Sequence, residues 1–353
     1  MSVKSVSRMM IRTLLALIAF ALFFLGLTCL QSGTETLRPL LRKGIPELMT
    51  GPVRTLAVAW LVTYVVMSGT LVAALSLTLY KSAIISPLAL FLMICGSRLG
   101  AAAIVVLIGG LDYLQKKRLE LRKAISLGLL TFLVTHVVYL PVTVAGSAFI
   151  YLTGNWEIIE SPLLPASNYL PPIQEGLIQG FMSDVGPALT LVAGGLMIWG
   201  GLHLLSKLLE TIDLEQARRK YFRYLKRPWL SLLVGFLLTM VSTSVTFSIG
   251  IVVPMYNRHY IKRTEMIPFI LGANIGTLAD TLLAALFLNC SDCTEMVLYL
   301  FVLLVVTTGL IMMMYSQFDQ FISSLHDYIK SSGRTILWFL ASLVIIPLLM
   351  LFI

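Results

Sequence analysis

Apolar residues run through this chain in long, nearly unbroken stretches, and polar residues gather between them. Seven stretches, near 9–30, 86–112, 124–152, 186–207, 264–289, 296–315 and 335–353, are long enough to cross about 30 Å of hydrocarbon at about 1.5 Å per helical residue. Two further apolar stretches, near 53–81 and 229–257, are broken at small polar residues. Each half would reach only about 18 Å as a helix, which suits a re-entrant hairpin better than a full crossing. The pattern predicts an all-α polytopic membrane protein.

Composition sharpens this. The 353 residues are 58% hydrophobic and 12% charged, more apolar than a soluble domain of this length requires. The formal net charge is +9, but Lys and Arg fall in short clusters at 115–123, 217–227 and 257–263. That spacing fits cytoplasmic loops facing anionic lipid and not a nucleic-acid surface. Segment 153–184 carries Glu157, Glu160, Glu175 and Asp184 with no Lys or Arg, so it belongs outside. These sides agree if the N-terminus is inside, the first hairpin opens outward and the second opens inward. Arg38, Arg42 and Lys43 then fall outside, against the trend. Cys290 and Cys293 form a single C-x-x-C with no second pair for zinc, so loop thiols or a local disulfide are expected.

The two halves of the chain align without a gap at an offset of 176 positions. The offset pairs Pro52 with Pro228, Ser68 with Ser244, Thr70 with Thr246, Gly96 with Gly272 and Gly100 with Gly276. A first repeat is therefore expected over 1–152, with a hairpin at 53–81 and a broken helix at 86–112. An extracytoplasmic loop follows at 153–184. A second repeat covers 185–328, with its hairpin at 229–257 and broken helix at 264–289, and a last span fills 329–353. Hairpins that open to opposite sides make the repeats inverted, which places a binding site near the bilayer midplane.

The polar centres are the candidate chemistry. Thr243, Ser244, Thr246 and Ser248 fall at the expected tip of the second hairpin, where half-helix N–H groups and hydroxyls favour an anion. The run Gly272-Ala273-Asn274-Ile275-Gly276-Thr277 interrupts the following helix. Unwound carbonyls and an Asn side chain there suit a small hard cation. One run of Ser, Thr and Gly is ordinary close packing between membrane helices. Two runs in register, each beside a short broken stretch, favour a site. His136 and His203 stand alone, with no nucleophile motif or metal-ligand spacing, so no enzyme active site is expected.

These residues resemble the type II sodium–phosphate cotransporters and their bacterial relatives, whose repeats pair a hairpin bearing Gln-Ser-Ser-Ser with a broken helix bearing Gly-(Ala/Ser)-Asn-Ile-Gly-Thr. Residues 272–277 match directly, and Thr243-Ser244-Val245-Thr246 stands in the place of Gln-Ser-Ser-Ser. In the first half the corresponding runs are Met67-Ser68-Gly69-Thr70 and Gly96-Ser97-Arg98-Leu99-Gly100-Ala101. Neither tip keeps the glutamine, and Arg98 replaces the asparagine. The resemblance implies transport of inorganic phosphate or a related oxyanion coupled to sodium, with no other cofactor, in a multi-pass protein of a bacterial inner membrane. It implies substrate contacts at Ser68, Gly69, Thr70, Arg98, Ser244, Val245 and Thr246, and cation contacts at Thr243, Ser248, Asn274 and Thr277. The expected partners are phosphate, sodium and the lipid bilayer, with homodimerisation left open. The alternative is a transport-inactive binding or sensing protein of the same fold, which Arg98 and the missing glutamines support.

Arg98 and Asp280 each carry a charge into an apolar span, at about 2.5–3.5 kcal/mol on insertion scales. One expectation pairs them: Arg98 takes the place of a cation site, and Asp280 balances it when substrate is absent. The other leaves Asp280 hydrated near the end of its span and Arg98 meeting substrate alone.

Overall fold

The computed structural model describes residues 3–115, 125–153, 180, 183–210, 227–243, 248 and 262–353. No strand occurs among them. The principal helices are α1 (Val3–Thr36), α2 (Arg38–Leu48), α3 (Pro52–Val66), α4 (Gly69–Lys81), α5 (Pro87–Gln115), α6 (Ser126–Thr153), α7 (Pro187–Glu210), α8 (Pro228–Ser242), α9 (Arg263–Gly276), α10 (Leu278–Phe287), α11 (Ser291–Met313), α12 (Tyr315–Lys330) and α13 (Gly333–Leu349). Seven spans are long and apolar enough to cross a membrane: Met10–Thr36, Pro87–Gly110, Ser126–Thr153, Pro187–Leu208, Arg263–Phe287, Ser291–Met313 and Gly333–Phe352. They fall where the apolar stretches lie. The described parts of the expected loop 153–184 are too few to define it.

Helices α3 and α8 are shorter, at 15 residues each, or about 22 Å. Both begin on a proline, Pro52 and Pro228, where the missing N–H costs nothing and the fixed φ is already helical. Both end at a residue in the left-handed region, Met67 at φ 55° and Thr243 at φ 53°. Left-handed backbone is costly without glycine, so the helix stops there. Both starts and both stops are 176 positions apart. Beyond Met67, the Ser68 hydroxyl accepts from the Leu71 N–H and caps α4.

The same correspondence governs packing. A Cβ on Gly96 would lie 2.5 Å from the Leu56 carbonyl oxygen, and one on Gly272 would lie 1.9 Å from that of Leu232. Gly100 and Gly276 similarly back onto the carbonyls of Trp60 and Phe236. Only glycine lets these backbones approach so closely. The partner register rises along both helices, so α3 runs parallel to α5 and α8 parallel to α9. By contrast, α1 and α7 are antiparallel: Gly33 meets Leu191, Gly26 meets Gly194 and Ile198, and Gly201 meets Ala19 and Phe23.

One expectation needs correction. The helix expected to break within 86–112 does not: α5 is continuous from Pro87 to Gln115. Its glycines serve close approach to α3, and no residue between 96 and 101 leaves the right-handed helical region. In the second half the interruption is real but slight. Helix α9 ends at Gly276, α10 begins at Leu278, and Thr277 between them stays right-handed at φ −67° and ψ −16°. Beyond the expected span at 296–315, α12 is a separate amphipathic helix. Ile322, His326 and Ile329 form its buried face, at the spacing of one helical stripe.

Prolines inside spans leave carbonyls without donors. Pro268 frees Thr264, whose carbonyl accepts from the Tyr315 hydroxyl of α12. Pro347 frees Leu343, whose carbonyl accepts from the Tyr64 hydroxyl of α3 at 2.9 Å. At the opposite end from α12, Cys290 and Cys293 form a disulfide across the α10–α11 junction.

Candidate functional site

A cavity of about 170 Å³ lies among α4, α5, α6, α7, α8 and α9. The start of α4 brings Ser68, Gly69 and Thr70 to it, and α5 brings Arg98 and Ala101. Thr135 and Tyr139 enter from α6, Trp199, His203 and Ser206 from α7, and Thr243 from the end of α8. Asn274 and Thr277 line it from the α9–α10 junction. Among the described lining residues the one formal charge is the guanidinium.

Arg98 is 5% exposed and Asp280 is 1% exposed. Arg98 Nη2 lies 3.1 Å from Asp280 Oδ1 and also donates to the Thr281 hydroxyl. The Thr281 hydroxyl donates in turn to Asp280 Oδ1 at 2.9 Å, and the Thr70 hydroxyl donates to Oδ2. Three donors on one carboxylate make a compensated buried ion pair, in which removal of either partner strands a charge. The pair also joins three elements: α4 through Thr70, α5 through Arg98 and α10 through Asp280.

Asn274 is similarly embedded. Its Oδ1 accepts from the Thr135 hydroxyl at 3.0 Å, and its main-chain carbonyl accepts from Tyr139 at 3.2 Å and from Thr277 at 2.8 Å. The two bonds to that carbonyl mark the α9–α10 interruption. Among the described residues, two buried donors on cavity-lining side chains have no acceptor: Arg98 Nε and Asn274 Nδ2. The amide orientation follows from the hydroxyl that Oδ1 accepts.

The structure thus gathers Ser68, Gly69, Thr70, Arg98, Thr243, Asn274 and Thr277 around one space. Ser244, Val245 and Thr246 lie outside the described residues. Ser248 is buried but does not line the cavity; its hydroxyl is 2.8 Å from that of Ser242. The Ser68 hydroxyl is already engaged as a helix cap. Sequence reasoning missed Thr135, Tyr139 and Thr281. Thr135 and Tyr139 are one helical turn apart in an apolar run, a spacing that puts both on one face. His203, expected to pack or hydrogen-bond rather than form an enzyme site, stacks its ring on Trp199 at 5.4 Å, and its side chain also lines the cavity. His136 lies apart, stacked on Phe132 with its Nδ1 2.9 Å from the Phe132 carbonyl.

The described residues form an all-helical bundle with seven candidate spans, as in a multi-pass membrane protein, around a buried, donor-rich cavity. The Na+/Pi-cotransporter family model matches residues 196–341 of this chain. The match supports the Na+/Pi-cotransporter family for the protein and, at family level, sodium-coupled phosphate transport. It includes Thr243, Asn274, Thr277 and Asp280. Comparison with curated proteins and with solved structures gives no match.

Proposed function

We propose that this protein is a secondary active transporter that moves inorganic phosphate, or a closely related oxyanion, together with sodium across a bacterial inner membrane. The carrying observation is that Arg98 and Asn274, each with a buried donor that no described residue accepts (Nε and Nδ2), line one cavity. An unmet buried donor costs about 1–3 kcal/mol, and a tetrahedral oxyanion supplies the acceptors both lack. Arg98 keeps Asp280 on Nη2 while its Nε turns to the anion, so the ion pair orients the guanidinium for substrate.

In this reading Ser68, Gly69, Thr70 and Arg98 meet the anion from the first half, and Ser244, Val245 and Thr246 meet it from the second. Asn274 faces both charges. Its Nδ2 serves the anion, and its Oδ1, which retains a second lone pair, serves sodium with Thr243, Ser248 and Thr277. Two inverted repeats, each with a re-entrant hairpin, account for the equal lengths, starts and stops of α3 and α8. The antiparallel pairing of α1 with α7 supports the same arrangement, because equivalent helices of inverted repeats run in opposite directions.

The test is uptake of labelled phosphate into proteoliposomes along a sodium gradient, with potassium replacing sodium as control and other oxyanions as competitors. Sodium-dependent accumulation is expected. A second reading, a binding or sensing protein that no longer translocates, draws on the closed network that ties α4, α5 and α10 together through Asp280. Phosphate binding without uptake would favour it.

A further inference from the structure

We infer that α2 lies in the headgroup layer of the bilayer and is a docking surface for anionic phospholipid, held by Arg38, Arg42 and Lys43. The inference does not depend on what the cavity carries. It starts from the three cations that stand against the charge trend of the loops. The apolar span in α1 ends at Thr36 and α2 starts at Arg38, so α2 begins where the hydrocarbon ends. The axis then turns by 112° between α2 and α3. Because α3 runs parallel to the spanning helix α5, that turn lays α2 across the spans, close to the plane of the membrane surface.

No residue of α2 is fully buried. Leu41 and Ile45, one turn apart, pack with Met49 against Ala59 of α3, Val72 and Leu79 of α4, and Met93 of α5. Beside that stripe Leu40 and Leu48 are 70% and 54% exposed. At about 3.6 residues per turn, Leu40, Leu41, Ile45 and Leu48 share one side of the helix. Arg42 and Lys43 stand on the other side, and Arg38 at its edge. All three cations are exposed, and none has a hydrogen-bond or ion-pair partner among the described residues. The neighbouring carboxylates, Glu35 and Glu47, are outnumbered once Arg54 is added to the three. Exposed leucines beside a docked stripe, with cations opposite, suit the boundary between acyl chains and headgroup phosphates. A second copy of the chain seated on the same face would bring like charges together.

The experiment attaches a bimane fluorophore to the full-length Leu40→Cys variant in phosphatidylcholine vesicles. The label goes to position 40, because Cys29 and Cys95 are buried and Cys290 and Cys293 are bonded to each other. Spin-labelled phosphatidylglycerol and spin-labelled phosphatidylcholine are then compared as quenchers. Both are expected to quench, phosphatidylglycerol with about tenfold higher apparent affinity. Adding Arg38→Gln, Arg42→Gln and Lys43→Gln together should bring the two lipids level while quenching persists. Absence of quenching by either lipid overturns the placement in the headgroup layer and gives the exposed leucines to a protein partner or a second copy. Equal quenching by the two lipids with the cations intact overturns the recognition of anionic lipid. So does loss of the preference in excess inorganic phosphate, which would give the cations to a free anion.

Discussion

Helix α5 and the α9–α10 pair hold equivalent positions and use the same two glycines to press against equivalent partners, yet one is continuous and the other is not. Gly96 and Gly100 contact α3 as Gly272 and Gly276 contact α8. The difference therefore does not lie in glycine. It lies at Arg98 against Asn274 and Ala101 against Thr277. Where Thr277 returns its hydroxyl to the Asn274 carbonyl, and Tyr139 donates to the same oxygen, the helix has an alternative to its own ladder. Alanine offers none. A glycine pair in a membrane helix thus reports close packing first, and local unwinding only where a side chain offers the backbone another partner.

The largest effect should come from the charges that separate the two sides. Arg98→Ala and Asp280→Ala each strand a buried charge and should destabilise the detergent-solubilised protein by about 3–5 kcal/mol. Thermal melting of the double variant should show a loss smaller than the sum, by about 0.5–3 kcal/mol. Strict additivity would mean that the two groups do not interact. Next comes the shared glycine contact. Gly272→Ala and Gly96→Ala should each cost about 1–3 kcal/mol through overpacking, with Gly272→Ala the worse. Its Cβ would stand 1.9 Å from a carbonyl oxygen, against 2.5 Å for Gly96. Equal melting temperatures would remove the claim that packing is tighter in the second half.

Asn274→Ala removes the amide without stranding a charge. It should raise the half-saturating sodium concentration about tenfold, equivalent to about 1.4 kcal/mol, and also weaken phosphate. An unchanged sodium curve would take the amide out of the cation site.

The smallest effect concerns the anchoring of α9 at its first residue. Arg263 Nη1 donates to Asp327 at 2.6 Å and lies 3.1 Å from His326 Nδ1, while His326 Nε2 meets the Ser126 carbonyl at 3.1 Å. Lys330 Nζ completes the cluster, donating to the Ser126 hydroxyl at 2.9 Å. Burial holds the His326 imidazole below its ordinary range, and the hydrogen bond from Arg263 holds the Asp327 carboxyl below its own. As pH falls through about 6.5, an undocked α12 takes up a proton that docked His326 refuses. Near pH 4 a released Asp327 does likewise. Docking therefore weakens as pH falls. Hydrogen-exchange protection factors in α12, corrected for the intrinsic rate, should fall from about pH 7.5 to about pH 5.5 by an amount equivalent to about 1 kcal/mol or less. His326→Gln should flatten that dependence, and an unaltered pH profile in the variant would assign the effect elsewhere.

Much of the architecture was legible because the bilayer enforces it. Backbone groups in hydrocarbon must bond within their own helix, so seven apolar runs became seven candidate spans within a few residues of the stated limits. The 176-residue offset was equally legible, and it reappears in the αL stops at Met67 and Thr243. What the chain did not disclose depends on distant partners. Thr135 and Tyr139 look like incidental polar residues in a span until Asn274 is packed against them. Helix α12 was not anticipated because its apolar residues, Phe318, Ile322, Leu325 and Ile329, stand singly among polar ones beyond the apolar run at 296–315. Its polar residues become a separate face only once it turns away at Met314.

The Arg98–Asp280 pair also sets the order of events during synthesis. The two residues are 182 positions apart, and a ribosome adding about 5–20 residues per second needs roughly ten to forty seconds to travel between them. For that interval the nascent first half holds a guanidinium in an apolar segment with no carboxylate to meet it. The contact with Asp280 that fixes Arg98 can form only after α10 has emerged, so the earliest-made half of the protein is among the last parts to be locked in place.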